Sequence, residues 1–101
     1  MWQTFISETL ASFLFITMVL TSSLLSGQFA PLVIGLSLAA IIWAFSNISI
    51  CAVNPAIVLS MYLRGNISAI TATLYVAAEL LGAVLAYLWW ANTYGLKFKN
   101  A

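Results

Sequence analysis

The stretch Cys51-Ala52-Val53-Asn54-Pro55-Ala56-Ile57-Val58-Leu59-Ser60-Met61-Tyr62-Leu63 decides the fold of this chain. Pro55 to Leu63 is an apolar run, but as a helix it rises only roughly 13 Å at 1.5 Å per residue. That is about half of the roughly 30 Å hydrocarbon core of a bilayer. Its start is chemically marked. Asparagine is a strong helix N-cap, because its side-chain oxygen accepts from a free backbone N–H of the first turn, and proline suits the first helical position. Asn54-Pro55 therefore begins a helix, and the run that follows is too short to leave by the far side. The segment reads as a re-entrant half-helix over about 55–63. Its feeder, Cys51-Ala52-Val53, is then non-helical backbone at membrane depth, tolerated only when buried in protein or lining a watery cavity.

Composition supplies the membrane that this reading needs. Of 101 residues, 64% are hydrophobic and 5% charged, against about 25% charged in a soluble domain. Five charged side chains cannot cover a soluble surface, so the lipid bilayer is the solvent. Outward from the half-helix, three apolar stretches are long enough to cross, at about 5–25, 32–50 and 68–90. Ser26-Gly27-Gln28 and Pro31 mark the turn between the first two, and Arg64-Gly65-Asn66 the entry to the third. The expected architecture is an integral, multi-pass, all-α membrane protein. It has three transmembrane helices plus one re-entrant half-helix, in a single domain over 1–101.

Several classes drop out. A formal net charge of +1 offers nothing to nucleic acid. With no histidine and one cysteine, Cys51, no disulfide, metal site or cysteine–histidine nucleophile fits within the chain. No constellation of nucleophile, base and oxyanion donors exists, so no enzyme and no cofactor are expected. The N-terminus lacks the basic region and cleavage site of a signal peptide. Asn47-Ile48-Ser49 and Asn66-Ile67-Ser68 match the glycosylation pattern but lie at or inside the membrane boundary, and read as chance. Ser7/Ala11, Gly35/Ala39 and Ala78/Gly82/Ala86 provide small-residue seams at four-residue spacing. Trp2 at one end, and Tyr87, Trp89, Trp90 and Tyr94 at the other, suit the interfacial belts. Trp43 and Phe45 lie deeper and read as lipid-facing or packing residues.

The start of the half-helix also carries chemistry. Once its oxygen caps the first turn, Asn54 has an NH₂ group left to point into a cavity. The helix N-terminus adds roughly half a positive elementary charge. A donor at a positive helix end orients a water by its oxygen and repels cations and protons.

The run from Ile34-Gly35-Leu36-Ser37 through Asn54-Pro55-Ala56 to Leu63-Arg64-Gly65-Asn66-Ile67-Ser68 resembles the aquaporin (major intrinsic protein) family. Leu74-Tyr75-Val76-Ala77-Ala78-Glu79-Leu80-Leu81-Gly82-Ala83 continues the likeness, and Glu8 sits where the family's repeat carries its glutamate. The resemblance covers nearly the whole chain and implies a passive channel for water and small neutral solutes. It also implies a departure. Family members carry two such repeats in one chain with opposite orientations, whereas this chain has one. Phe29-Ala30-Pro31 through Ile34-Gly35-Leu36 resembles the second repeat, and Asn54-Pro55-Ala56-Ile57-Val58-Leu59 the first. An antiparallel homodimer, inserted both ways and meeting half-helix tip to tip, would restore the pore. By the same resemblance, four such pores would assemble as eight chains. The charges fit dual insertion: Arg64 and the terminal amine face one side, and Lys97 and Lys99 the other, so the positive-inside rule barely discriminates orientations.

The resemblance assigns the remaining residues. Where the family commonly has a filter arginine, just after its second Asn-Pro-Ala, this chain has Ile57. Gapless spacing back from Asn54 puts Ile34 and Ile42 at the other filter-like wall positions, with Cys51 at the edge of an apolar constriction. Glu8 is expected to accept hydrogen bonds from the loop backbone near Cys51–Val53, a proton-carrying role being the sharper alternative. Glu79 stands near mid-membrane where the family often has glutamine. A protonated carboxyl there would imitate that glutamine and an ionised one would attract cations; the neutral structural reading is the expected one. Two other functions have their own requirements. A dual-topology, proton-coupled exporter using Glu8 would need four full spans, and a non-conducting assembly subunit would need a longer partner.

Overall fold

A computed structural model describes residues 2–95. Lys97 and Lys99, on which the charge-balance expectation rests, lie outside the described residues. Among those described there are four α-helices and no strand. Helix α1 spans Trp2–Leu25, α2 Ala30–Phe45, α3 Pro55–Leu63 and α4 Ala69–Trp90. A 3₁₀ turn, Gly27–Phe29, joins α1 to α2, and a short π-helical turn, Ala91–Gly95, follows α4. Helices α1, α4 and the continuous stretch Gly27–Phe45 are each long and apolar enough to cross a membrane. Helix α3, with 9 residues, is not.

Local chemistry sets the helix ends. Gly27 takes φ +53°, a left-handed value that a side chain disfavours, and turns the chain from α1 into α2. Ser68 caps α4 by accepting from the Thr71 N–H at 3.2 Å. Helix α2 stops at Phe45, short of the expected limit at Ile50. Hydropathy reads Ile48-Ser49-Ile50 as span, but Ser46-Asn47 are turn formers that compete for the backbone. The Ser46, Ile48 and Ser49 amides all close back onto Ile42 or Phe45 carbonyls. The chain then leaves the helix and turns inward.

Close packing of small residues holds α1 against α4. Ala11, Ala78 and Ala86 are fully buried. A Cβ built on Gly82 would come within 2.6 Å of the Thr9 carbonyl oxygen and 2.9 Å of the Phe13 backbone nitrogen, so only glycine permits this approach. The Gly35/Ala39 seam behaves differently. Nothing lies within 4 Å of a Cβ at Gly35, and both residues face outward. Trp43 is 83% exposed, whereas Phe45 packs against the core.

The loop between α2 and α3 is the centre of the fold. Cys51 and Val53 join Ala11 and Ile41 in one buried cluster, and Ala52 joins Val58 and Tyr75 in another. Consecutive side chains thus anchor to opposite walls.

Candidate functional site

The loop is fixed by its N–H groups. Val53 N–H donates to Glu8 Oε1 at 2.7 Å. The Ser49 hydroxyl donates to Glu8 Oε2 at 3.0 Å and accepts from the Cys51 N–H at 3.1 Å. Ile50 N–H donates to the Tyr75 hydroxyl at 3.0 Å, and the Cys51 thiol donates to the Ile41 carbonyl at 3.7 Å. Glu8 is fully buried, and a charge-assisted bond of this length is strong. These ties hold two non-glycine residues at left-handed φ, Cys51 at 49° and Val53 at 46°. Such conformations cost on the order of 1–3 kcal/mol each and persist only where the surroundings over-determine them.

The loop carbonyls are left over. No hydrogen bond among the described residues uses the carbonyls of Ile50, Cys51, Ala52 or Val53. A carbonyl at membrane depth without a partner is costly unless water reaches it. Next in sequence, Asn54 adopts φ −154° and caps α3, accepting from the Ala56 N–H at 2.9 Å. Its Nδ2 group remains a donor. Asn54, Pro55 and Ala56 are all exposed, so the N-terminal tip of the half-helix is bare in the single chain.

Around this tip is an open concavity of about 300 Å³. Of the residues expected from sequence, Asn54, Cys51, Ile57 and Ile42 all line it. Pro55, Ala56 and Ile34, also expected there, do not: the first two are exposed at the tip beside it, and Ile34 lies two turns nearer the start of α2, half-buried and outside the concavity. Leu38 takes the place on α2 next to Ile42, and Phe15 of α1, Val53 and Met61 add to the apolar wall. Leu38 was findable, being one helical turn from Ile42. Phe15 was not, since its approach depends on how α1 packs. Glu79 is buried on α4, outside this concavity, and neither of its oxygens has a hydrogen-bond partner. Among the described residues no cluster of His, Cys, Asp or Glu could hold a metal.

Three apolar spans around a half-length helix define an integral, multi-pass membrane protein with the fold of an aquaporin half. The family model described as "Major intrinsic protein" matches residues 1–97, and the chain belongs to that family. It is 37% identical over 84 residues to Aquaporin-2 of Dugong dugon, covering 77% of each. With Aquaporin A of Dictyostelium discoideum it shares 45% identity over 53 residues, or 52% of this chain and 19% of that protein. With the neurogenic protein big brain of Drosophila melanogaster it shares 32% over 99 residues, or 85% of this chain and 14% of that one. The chain thus spans only about a fifth of the Dictyostelium relative's length. No solved structure matches it.

Proposed function

We propose that this chain is a passive transmembrane channel for water and small neutral solutes, built from two copies of itself inserted antiparallel. The observation that carries the reading is the bare tip of α3. Asn54, Pro55 and Ala56 are exposed where a helix start would otherwise need partners, beside four loop carbonyls that take no hydrogen bond among the described residues. In hydrocarbon each such group costs several kcal/mol. An inverted second copy would bring its own tip to meet the first, and water between them would satisfy the carbonyls.

The pore of such a dimer is lined twice by the same residues. Two Asn54 Nδ2 groups and two positive helix ends meet at mid-membrane, where they orient water by its oxygen and repel cations. On either side, Ile42, Ile57 and the edge of Cys51 form an apolar constriction with no arginine. Ile34 has no place in that wall within one chain. Charge exclusion then rests on the half-helix ends and on the desolvation of ions. Glu8, fully buried with both oxygens occupied, acts as a support for the loop rather than as the carrier of an exporter. By family likeness, four such dimers would stand side by side.

The dimer is tested by Ala56→Cys in a Cys51→Ala background, treated with a short thiol cross-linker in the membrane. The reading expects a covalent dimer at this position and none from a cysteine at Trp43 on the outer face of α2. Equal cross-linking at both positions, or at neither, would contradict it.

A further inference from the structure

The geometry points to Tyr75 as a positioning residue for the loop that leads to Asn54. Its hydroxyl and ring fix the first peptide of that loop, and so turn the Ser49 carbonyl toward the conduction path. The inference rests on the proposed channel for its effect on flux, but not for the anchoring itself.

Tyr75 reaches the loop in three places. It stands on the buried face of α4 with Ala78 and Gly82, and is 6% exposed. Its hydroxyl accepts from the Ile50 N–H at 3.0 Å. Its ring packs with Ala52 and Val58, which lie on either side of Asn54 in the sequence. Val58 is the one buried residue among the nine of α3. A single side chain of the third span therefore holds the start of the loop, its middle and the half-helix beyond it. Glu8, from the first span, holds different points, Ser49 and Val53. The hydroxyl has a role separable from that of the ring. A buried phenol oxygen is costly without a partner, and so is the Ile50 N–H it serves; packing alone would be met by phenylalanine.

The direction follows from the peptide unit. The Ile50 N–H and the Ser49 carbonyl belong to one planar trans peptide and point opposite ways. Tyr75 lies behind the loop, where with Thr4, Glu8 and Thr71 it lines a cavity of about 270 Å³. That cavity shares no lining residue with the concavity of about 300 Å³ in front, which Ile50 lines. Holding the N–H to the rear turns the Ser49 carbonyl to the front. No hydrogen bond among the described residues uses this carbonyl. It extends by one, toward the start of the loop, the row of unused carbonyls from Ile50 to Val53. The Cys51 N–H on the Ser49 hydroxyl and the Val53 N–H on Glu8 turn the Ile50 and Ala52 carbonyls by the same logic. Tyr75 sets the first acceptor that a water would meet on entering along the loop.

The test compares the purified parent with Tyr75→Phe in liposomes, since phenylalanine keeps the ring against Ala52 and Val58 and removes only the acceptor. The first readout is hydrogen exchange of the Ile50 amide, referenced to the Val53 amide that Glu8 holds. Ile50 exchange should quicken by about fivefold or more relative to Val53, the factor carried by one ordinary hydrogen bond. The second is the temperature dependence of osmotic water flux, after subtraction of the flux of empty liposomes. This slope does not depend on how many channels are active, so a variant that only folds or inserts poorly leaves it unmoved. It should steepen in Tyr75→Phe, with flux per inserted chain lower by a similar factor. Unchanged Ile50 exchange in folded Tyr75→Phe would overturn the anchoring. Faster exchange with an unchanged slope would overturn the effect on the path and leave Tyr75 a prop of the loop. If the parent does not conduct at all, the channel reading fails and the exchange arm still decides the anchoring. If Tyr75→Phe does not fold, the parent decides it: an Ile50 amide slowed as Val53 is upholds the anchor, and one exchanging as fast as in an unfolded chain overturns it.

Discussion

Val53 donates its backbone N–H to Oε1 of Glu8 at 2.7 Å, so a carboxylate on the first span fixes a loop residue 45 positions further along the chain. With the Ser49 bond to the second oxygen, this contact holds Cys51 and Val53 in left-handed backbone. Their N–H groups are thereby turned toward the protein, and their carbonyls take no hydrogen bond among the described residues. The loop's geometry follows from Glu8 more than from the loop's own residues, which are small or apolar and have no preference for positive φ.

Glu8→Ala should therefore be the most damaging single change in the loop's support. It leaves the Val53 N–H and the Ser49 hydroxyl unpaired and opens a void, at roughly 2–4 kcal/mol. Glu8→Gln keeps one acceptor and loses the charge, at roughly 1 kcal/mol. Denaturant titration of the detergent-solubilised protein reads both. A Glu8→Ala protein as stable as the parent would remove the loop-anchoring role.

Asn54→Asp separates capping from conduction. Aspartate caps a helix about as well as asparagine, so the Ala56 N–H keeps its acceptor and stability should change by less than about 0.5 kcal/mol. The Nδ2 donor is lost and a carboxylate takes its place at the tip of α3. Liposome flux assays should then show cation leak in the variant and none in the parent. A variant that remains as ion-tight as the parent would count against Asn54 facing the pore.

Two glycines give opposite expectations. Gly82→Ala drives a Cβ against the Thr9 carbonyl and the Phe13 backbone, which are not flexible side chains that can yield, and overpacking of this kind costs about 1–3 kcal/mol. Gly35→Ala meets nothing within 4 Å and gains up to about 1 kcal/mol of helix propensity. Thermal melts of the two variants in the same detergent should move in opposite directions.

The half-helix was readable because one dipeptide, Asn54-Pro55, marks its start and its apolar run is too short for any other use. The end of α2 was harder. Ile48 and Ile50 look like membrane residues, and hydropathy carries no sign of the tie to Tyr75 that draws Ile50 into the loop. Counting back from Asn54 puts Ile34 in the wall, but a register of whole turns does not say where a helix leaves the wall of a concavity, and Leu38 stands there instead. Which residues of α1 meet the Ala78/Gly82/Ala86 seam was not legible; it depends on how α1 and α4 slide past each other, which is settled by the fit of Gly82 against Thr9 and Phe13.

The most direct test of the account is osmotic shrinkage, followed by stopped-flow, of liposomes containing only this purified chain. The account predicts fast shrinkage with a low activation energy, blocked by a small mercurial in the parent and left unblocked in Cys51→Ala. Shrinkage no faster than that of empty liposomes, from protein shown to be inserted in both orientations, would contradict it.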